Sequence, residues 1–487
     1  MAGLVRPGFL QLVGSPKDQA DPVGRVLWRG GCYQLHSSDA QDYDPRMNKN
    51  VQSKRDLPDR VPVAVIGGGV AGVAAALFLA KSGVPAALFE KGRIGGEQSS
   101  RNWGWIRKQG RDAAEIPLMI ETERLWREIA RDVDEDIGYR VGGVTYLAQT
   151  EEELAVREAW MAHATAFGLD SRMLSSAEAS ALLGLNATQT QIKGALHTPS
   201  DAYAEPSRAV PAMARLATRY GAQIFEGVAV RGLHREGGKV CGVVTEHGLV
   251  RCDSVILAGG IWSRTLLENE GLSLPQLAIR SSALRTSPVS HVSTSTFGAT
   301  GASIRPRADG GCTVARAGAA QFDLVPAAFR HFSAFLPLVR SRWRIMKLRA
   351  GASFFGPLGR HRWGMDETTP FEAVRVMNPE PDKQLLEKVL ASAKGLYPQL
   401  AKAHMAESWA GMIDVMPDEI PVIGHVAEAP GLVLATGLSG HGFGLGPGVG
   451  KLAAELVTGA DVLSDPTAFA KERFDQPLRS AVSQAVS

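Results

Sequence analysis

At 487 residues, with 45% hydrophobic and 21% charged residues, the chain is long enough for two domains, each with its own core. Fifty-three Lys plus Arg against 50 Asp plus Glu leave a net charge of +3, which argues against nucleic acid or an anionic membrane surface as a partner. Four scattered cysteines (Cys32, Cys241, Cys252, Cys312) without a CxxC pair argue against structural zinc and a disulfide framework, and no run approaches the ~20 apolar residues of a membrane span.

Residues 1 to about 60 carry Pro7, Pro16, Pro22, Pro45 and Pro58 and the polar run Asp39 to Arg60. They read as an irregular arm with a small ordered piece around Val26 to Leu35. The N-terminus has neither a signal-peptide apolar core nor a twin-arginine motif, so a cytoplasmic location is the default expectation.

The stretch Val63 to Gly72 organises the rest. Val63, Ala64, Val65 and Ile66 read as a buried parallel strand that runs into Gly67-x-Gly69-x-x-Gly72. A helical apolar pattern follows from Val73 to Ala80, Gly83 closes it, and a second strand from Pro85 to Phe89 ends in Glu90. In this arrangement Gly67 permits the tight turn, Gly69 lets a pyrophosphate approach the backbone, and Gly72 lets helix and strand pack closely. The helix N-terminus, through residues such as Val70 and Ala71, offers N–H groups to phosphates. Glu90 can accept hydrogen bonds from an unphosphorylated ribose, which favours FAD or NAD over NADP.

Residues 91–112 are rich in Gly, Ser and Arg and read as a loop. Helices are expected over Pro117 to Val133, Glu151 to Phe167, Ser175 to Leu183 (with Ser176 as cap) and Pro206 to Tyr220, and a strand over Gly138 to Leu147. Gln223 to Phe225, Ala229 to Leu233, Val240 to Thr245 and Leu249 to Arg251 read as a β-meander. Ser254 to Leu257 is a buried strand entering Ala258-Gly259-Gly260. Strands at 283–288, 302–306 and 313–317, the last two flanking the hairpin signal Ala308 to Gly311, suggest an antiparallel second domain. A helix is expected over Pro381 to Gly395. Gly431 to Gly437 is another buried strand, followed by a glycine-dense turn to Gly450 and a helix from Lys451 to Thr458.

Three motifs give the chain a family resemblance: the glycine turn with Glu90-Lys91, the segment Ser99-Ser100-Arg101-Asn102, and ATGLSGHGFGLGPGVGKL near the C-terminus. Over about residues 61–460 the chain resembles the D-amino-acid oxidase superfamily of FAD enzymes, and within it the sarcosine oxidase, glycine oxidase and γ-glutamylputrescine oxidase group. The resemblance implies an α/β fold with a discontinuous Rossmann-like FAD-binding domain (61–145, 196–270 and 405–460) and an α+β substrate domain (146–195 and 271–404) with an antiparallel sheet. Residues 1–60 would form the arm and 461–487 a tail. FAD would lie extended over Gly67, Gly69, Val70, Ala71, Gly72, Glu90, Lys91, Ser99, Ser100, Arg101, Asn102, Val230, Ala258 and Gly259. Its flavin would sit beside Gly440, His441, Gly442, Phe443 and Gly444, where the positive end of the following helix faces the ring.

Two departures narrow the reading. The stretch Ala410 to Ile413 has no cysteine where monomeric sarcosine oxidases attach flavin, and Trp103 and Trp105 occupy the loop where histidyl-FAD families place their His, so FAD should be non-covalent. Gly440 and Gly444 stand at about the places where relatives carry a carboxylate-binding cation in the C-terminal turn. Arg107, near where sarcosine oxidases bind a carboxylate, is the leading replacement, with Arg305, Arg307 and Arg316 behind it. Trp103 and Trp105 could wall an amine, and His441 position the ring. The expected activity is flavin-dependent oxidation of a C–N bond in an amine or N-alkyl amino acid, the imine being hydrolysed to carbonyl and amine, with dioxygen or an electron carrier as acceptor. A 2-hydroxy acid or glycerol-phosphate-type dehydrogenase and a non-catalytic FAD-carrying subunit are the alternatives.

Overall fold

Two sheets account for most of the strand residues in the computed structural model, which describes residues 57–185, 191–290, 292–342, 347–359 and 362–475. The expected arm up to residue 56, with its ordered piece at 26–35, and the tail beyond Asp475 lie outside the described residues.

The first sheet has five parallel strands at its centre, in the order Leu432–Thr436, Gly248–Leu257, Arg60–Ile66, Ala86–Glu90 and Gln223–Glu226. Both faces are covered, which is why these strands read as near-continuous apolar runs. One face packs on the helices Val70–Lys81, Pro206–Arg219 and Gly442–Thr458. The other lies under the meander Val230–Thr245 and the segment around Trp262 and Leu266. The helix Val70–Lys81 is buried from Val70 to Ala80, so it is apolar all round rather than amphipathic. The two strands expected at 249–251 and 254–257 form one strand, Gly248–Leu257. Its first half pairs antiparallel with Lys239–Thr245 and its second half parallel with Arg60–Ile66.

The helix expected from Lys451 starts nine residues earlier, at Gly442. Its glycines serve close packing rather than a turn. A Cβ at Gly446 would lie 2.4 Å from a Val70 methyl, one at Gly448 2.0 Å from Thr122 Oγ1, and one at Gly450 2.5 Å from the Ala75 amide nitrogen. Burial between two helices outweighs the ~1 kcal/mol helix penalty of each glycine. Smaller differences have local causes. Ser175, not Ser176, caps the helix Ser176–Leu183, in a reciprocal box with Glu178. The expected loop after Glu90 contains a short helix, Gln98–Arg101, and a strand, Trp105–Ile106, held by Ala202–Tyr203.

The second sheet has nine strands and is mostly antiparallel, in the order Met405–Val415, Leu277–Thr286, Cys312–Asp323, Ala302–Pro306, Thr296–Ala299, Val144–Ala148, Gly194–Thr198 and Arg172–Ser175, with Lys347–Arg349 beside Cys312–Asp323. Residues 405–415 and 194–198 therefore belong to this sheet, not to the nucleotide-side unit in which most of them were expected. One face packs on the helix Lys383–Leu396 through Leu284, Phe297, Ile304 and Val314. Across the other face, register brings Leu196, Tyr146, Gly298, Ser303, Ala315, Ala283 and Trp409 into one row. Small side chains thus form a strip bounded by two aromatic rings.

Candidate active site

The carboxyl ends of the parallel strands open into a solvent-accessible groove. Its lining includes Gly67 to Ala71, Glu90, Ser99, Val230, Ala258, Gly259, Asp414 and Leu438. Gly67 has φ +108°, and a Cβ there would lie 2.4 Å from the Ala258 carbonyl oxygen, so only glycine makes this turn. At Gly69 a Cβ would meet nothing within 4 Å except Ser99 Oγ at 3.2 Å, which leaves the groove side of this residue open. No side chain of its own caps the helix that starts at Val70, and Ser99 Oγ accepts the Val70 amide at 2.9 Å. Glu90 accepts from the Gly68 and Gly92 amides, each at 2.7 Å, and burial raises its pKa.

At the far end, Asp414 ties the two sheets together. It is 1% exposed and accepts from the Gly437 amide at 2.8 Å, the Leu438 amide at 3.2 Å, Gln98 Nε2 at 3.2 Å and Gln276 Nε2 at 3.3 Å. Burial pushes its pKa up. With Ser439 Oγ accepting the Met416 amide, these bonds hold the turn Gly437–Gly440, in which Ser439 has φ 48° and Gly440 φ 82°. A left-handed serine in a fixed turn is strain of the kind found at functional sites.

Next to this turn lies a polar cluster. Lys108 and Gln109 donate their amides to the fully buried Asp201, which pins the segment carrying Arg107. The Arg107 guanidinium lies 5.5 Å from the Tyr146 ring centroid and donates to the Gln109 carbonyl. Trp105 tilts against Tyr146 at 5.7 Å and stands edge-on to Trp103 at 5.8 Å. Arg111 donates to the carbonyls of Arg107 and His441 and lies 3.7 Å from Glu115, and burial lowers its pKa to about 10. His441 Nδ1 is 3.5 Å from Glu115. Burial, then the Arg111 charge, bring the His441 pKa to about 4, so its imidazole is neutral at neutral pH. Burial raises Glu115, but His441, Arg111 and Arg107 outweigh it and the net shift is downward.

A family model described as FAD dependent oxidoreductase (DAO) matches residues 62–456. This chain belongs to the FAD-dependent oxidoreductase (DAO) family. The L-amino acid deaminase from Proteus myxofaciens, solved in complex with anthranilate, is 31% identical and superposes with a TM-score of 0.81 over 86% of this chain and 95% of that one. The L-amino acid deaminase from Proteus vulgaris is 29% identical, with a TM-score of 0.80 over 86% of this chain and 98% of that one. The 4-methylaminobutanoate oxidase (formaldehyde-forming) of Paenarthrobacter nicotinovorans is 26% identical over 86% of this chain but only 46% of its own length, so the chain spans less than half of that relative. Among the described residues no helix is long and apolar enough to cross a membrane.

The groove of this FAD-dependent oxidoreductase fits its cofactor: a glycine cradle, an open helix N-terminus and a carboxylate converge on it. Gly72 lies behind the cradle, its missing Cβ making room for the Gly67 carbonyl oxygen at 2.0 Å. Lys91 lines the groove, but its ammonium is taken by Glu97 and by the Val374 and Arg375 carbonyls. Ser100, Arg101 and Asn102 hold their own turn: Ser100 donates to the Glu97 carbonyl, Arg101 to Gly96 and Ala410, and Asn102 to Gln98 and Ser99. His441 precedes the helix that starts at Gly442, Phe443 packs on Trp126, and a Cβ at Gly444 would lie 2.9 Å from the Trp105 carbonyl oxygen.

The arginines held in reserve by the sequence reading are placed differently. Arg305 is 1% exposed and paired through both terminal nitrogens with Glu205 at 3.0 Å, and Arg307 lies 3.1 Å from Asp309 and 3.6 Å from Glu205. Arg316 is exposed. Asp414, Glu115, Arg111, Tyr146 and Arg157 were missed. Arg111 and Glu115 pair at i,i+4, but the residues that Asp414, Tyr146 and Arg111 meet across the site, such as Gly437, Arg107 and His441, are far away in the chain.

Proposed function

We propose that the chain uses FAD to oxidise the C–N bond of an amino acid or N-alkyl amino acid, giving an imine that water cleaves to a carbonyl compound and an amine. Bound FAD supplies the two-electron acceptor for the hydride from the carbon next to nitrogen. The observation that carries this reading is the joining of two features at one turn. The nucleotide groove ends at Asp414 and Leu438, and within a few residues begins the Arg107, Trp105 and Tyr146 cluster beside the strip of small side chains.

In this arrangement Arg107 takes the substrate carboxylate, since no acidic group among the described residues lies within ion-pair distance of it. Trp103, Trp105 and Tyr146 wall off water and favour an unprotonated amine. Neutral His441 and the N-terminus of the helix Gly442–Thr458 turn N–H groups and the positive end of the helix toward the ring. The relatives' names, L-amino acid deaminase and 4-methylaminobutanoate oxidase, support an amine nitrogen as the reacting partner.

The test is anaerobic bleaching of the yellow enzyme by a panel of L- and D-amino acids, N-methyl amino acids, simple amines and 2-hydroxy acids. Reduction by amino acids but not by hydroxy acids is expected, and re-oxidation with dioxygen or an artificial carrier then identifies the acceptor. Arg107→Gln should raise KM by roughly 30-fold or more on the best amino acid with FAD content intact, from the loss of a bidentate charged contact. Reduction by hydroxy acids alone would overturn the proposal.

A further inference from the structure

Arg157 has no structural partner that explains its place. In the helix Glu151–Ala166 the buried positions are Arg157, Trp160 and Ala164, so the arginine occupies the apolar stripe where a leucine would pack. It is 6% exposed, its Nε is sealed off without a hydrogen-bond partner, and it forms neither a hydrogen bond nor an ion pair with any described residue. Glu153, one turn earlier, is turned instead to the Gln149 amide and the Thr300 hydroxyl. Among the described residues the one directed contact of Arg157 is with Tyr146, whose ring centroid lies 5.1 Å from its guanidinium. Arg107 lies against that same ring, at 5.5 Å.

Charge around Tyr146 is therefore unbalanced. Arg107, Arg111 and Arg157 gather there, Glu115 is the one carboxylate among the described residues within ion-pair distance of any of them, and His441 is neutral. Burial works against the charged form of Arg157; Tyr146 and the more distant Glu153 carboxylate offset part of this, and Arg107 adds to the repulsion. A buried guanidinium without an ion-pair partner destabilises a fold, and such an arrangement persists where a ligand completes it.

We infer that the substrate carries a second anion: an amino or N-alkyl amino dicarboxylate, with one carboxylate on Arg107 and the other on Arg157. The inference rests on the amine-oxidation reading for the reacting nitrogen, whereas its anion-binding half can be tested without any turnover. Arg157 is then a specificity-determining residue. Tyr146 keeps the two cations apart and presents its face to both.

The experiment uses the FAD-loaded full chain and two unreactive acids of equal length, glutarate and valerate, titrated by the change in flavin absorption. Glutarate should bind at least about tenfold tighter, the effect of one added charge-assisted contact. Arg157→Met should erase that preference and raise the Tm, because it removes an unpaired buried charge, and Arg157→Lys should keep part of the preference. Equal affinities in the parent protein, a preference that survives Arg157→Met, or a lower Tm in that variant would each overturn the inference. In the reactive panel, aspartate, glutamate and their N-methyl forms should outperform the corresponding amides in flavin reduction by a similar factor. A glutarate preference without reduction by any amine leaves the anion site standing and overturns the amine reading. Reduction by all amino acids alike, without a glutarate preference, does the reverse.

Discussion

Gly450→Ala isolates how the two glycine motifs depend on each other. The new Cβ would lie 2.5 Å from the Ala75 nitrogen, 2.5 Å from the Ala74 Cβ and 2.6 Å from the Ala71 carbonyl oxygen. Two of these are backbone atoms, so no side chain can swing away and the helices Val70–Lys81 and Gly442–Thr458 must separate. Overpacking of this kind costs about 1–3 kcal/mol, and backbone contacts place it at the upper end. The intrinsic helix gain of alanine over glycine returns only about 1 kcal/mol, leaving a net loss of roughly 2 kcal/mol. Gly395→Ala is the control: Gly395 lies inside the helix Lys383–Leu396, and nothing stands within 4 Å of its added Cβ. Thermal unfolding of the two variants should diverge, with Gly395→Ala melting above the parent and Gly450→Ala below it. FAD affinity should fall in Gly450→Ala, because the displaced helix carries Val70 and Ala71 of the cradle. A Gly450→Ala protein that melts as high as Gly395→Ala would refute the close-packing argument.

Three further outcomes are expected. Gly69→Val should leave a folded protein without flavin, since its Cβ points to the open groove with only Ser99 Oγ at 3.2 Å; full flavin absorbance in the purified variant would place the pyrophosphate elsewhere. Glu205→Gln should strip a fully buried Arg305 of its counter-ion and lower stability by about 3–5 kcal/mol, read as a fall in the denaturant midpoint that a merely superficial pair would not produce. His441, held to about 4 in the fold against 6.5 when unfolded, binds fewer protons in the native state, so stability should fall as pH drops through that window. The ceiling is about 3 kcal/mol, Glu115 adds to the loss at still lower pH, and His441→Gln should flatten the Tm profile between pH 6.5 and 4.5; a profile as steep as the parent's would show that another group titrates.

The local pattern of Val63 to Glu90 determined its own structure: an apolar strand, three glycines, an apolar helix, a second strand and an acid are short-range features, and their spacing leaves one arrangement. The helices over 116–132, 151–166 and 206–219 were legible for the same reason, since period and terminal residues lie within each segment. The C-terminal glycines were not, because a glycine reads as a helix breaker until the second helix that it must approach is in place. The sheet to which residues 405–415 belong, and the row from Tyr146 to Trp409, depend on pairings between segments far apart in the chain. The same holds for charge. In sequence Arg157 has an acid at helical spacing, Glu153, whereas Arg305 has only the hairpin residue Asp309 nearby. Only the tertiary structure brings Glu205, a hundred residues away, onto Arg305, and turns Glu153 to Gln149 and Thr300 so that Arg157 lies beside an aromatic ring with no ion-pair partner among the described residues. Counter-ions are assigned by proximity in space, and proximity in space is what a linear pattern does not encode.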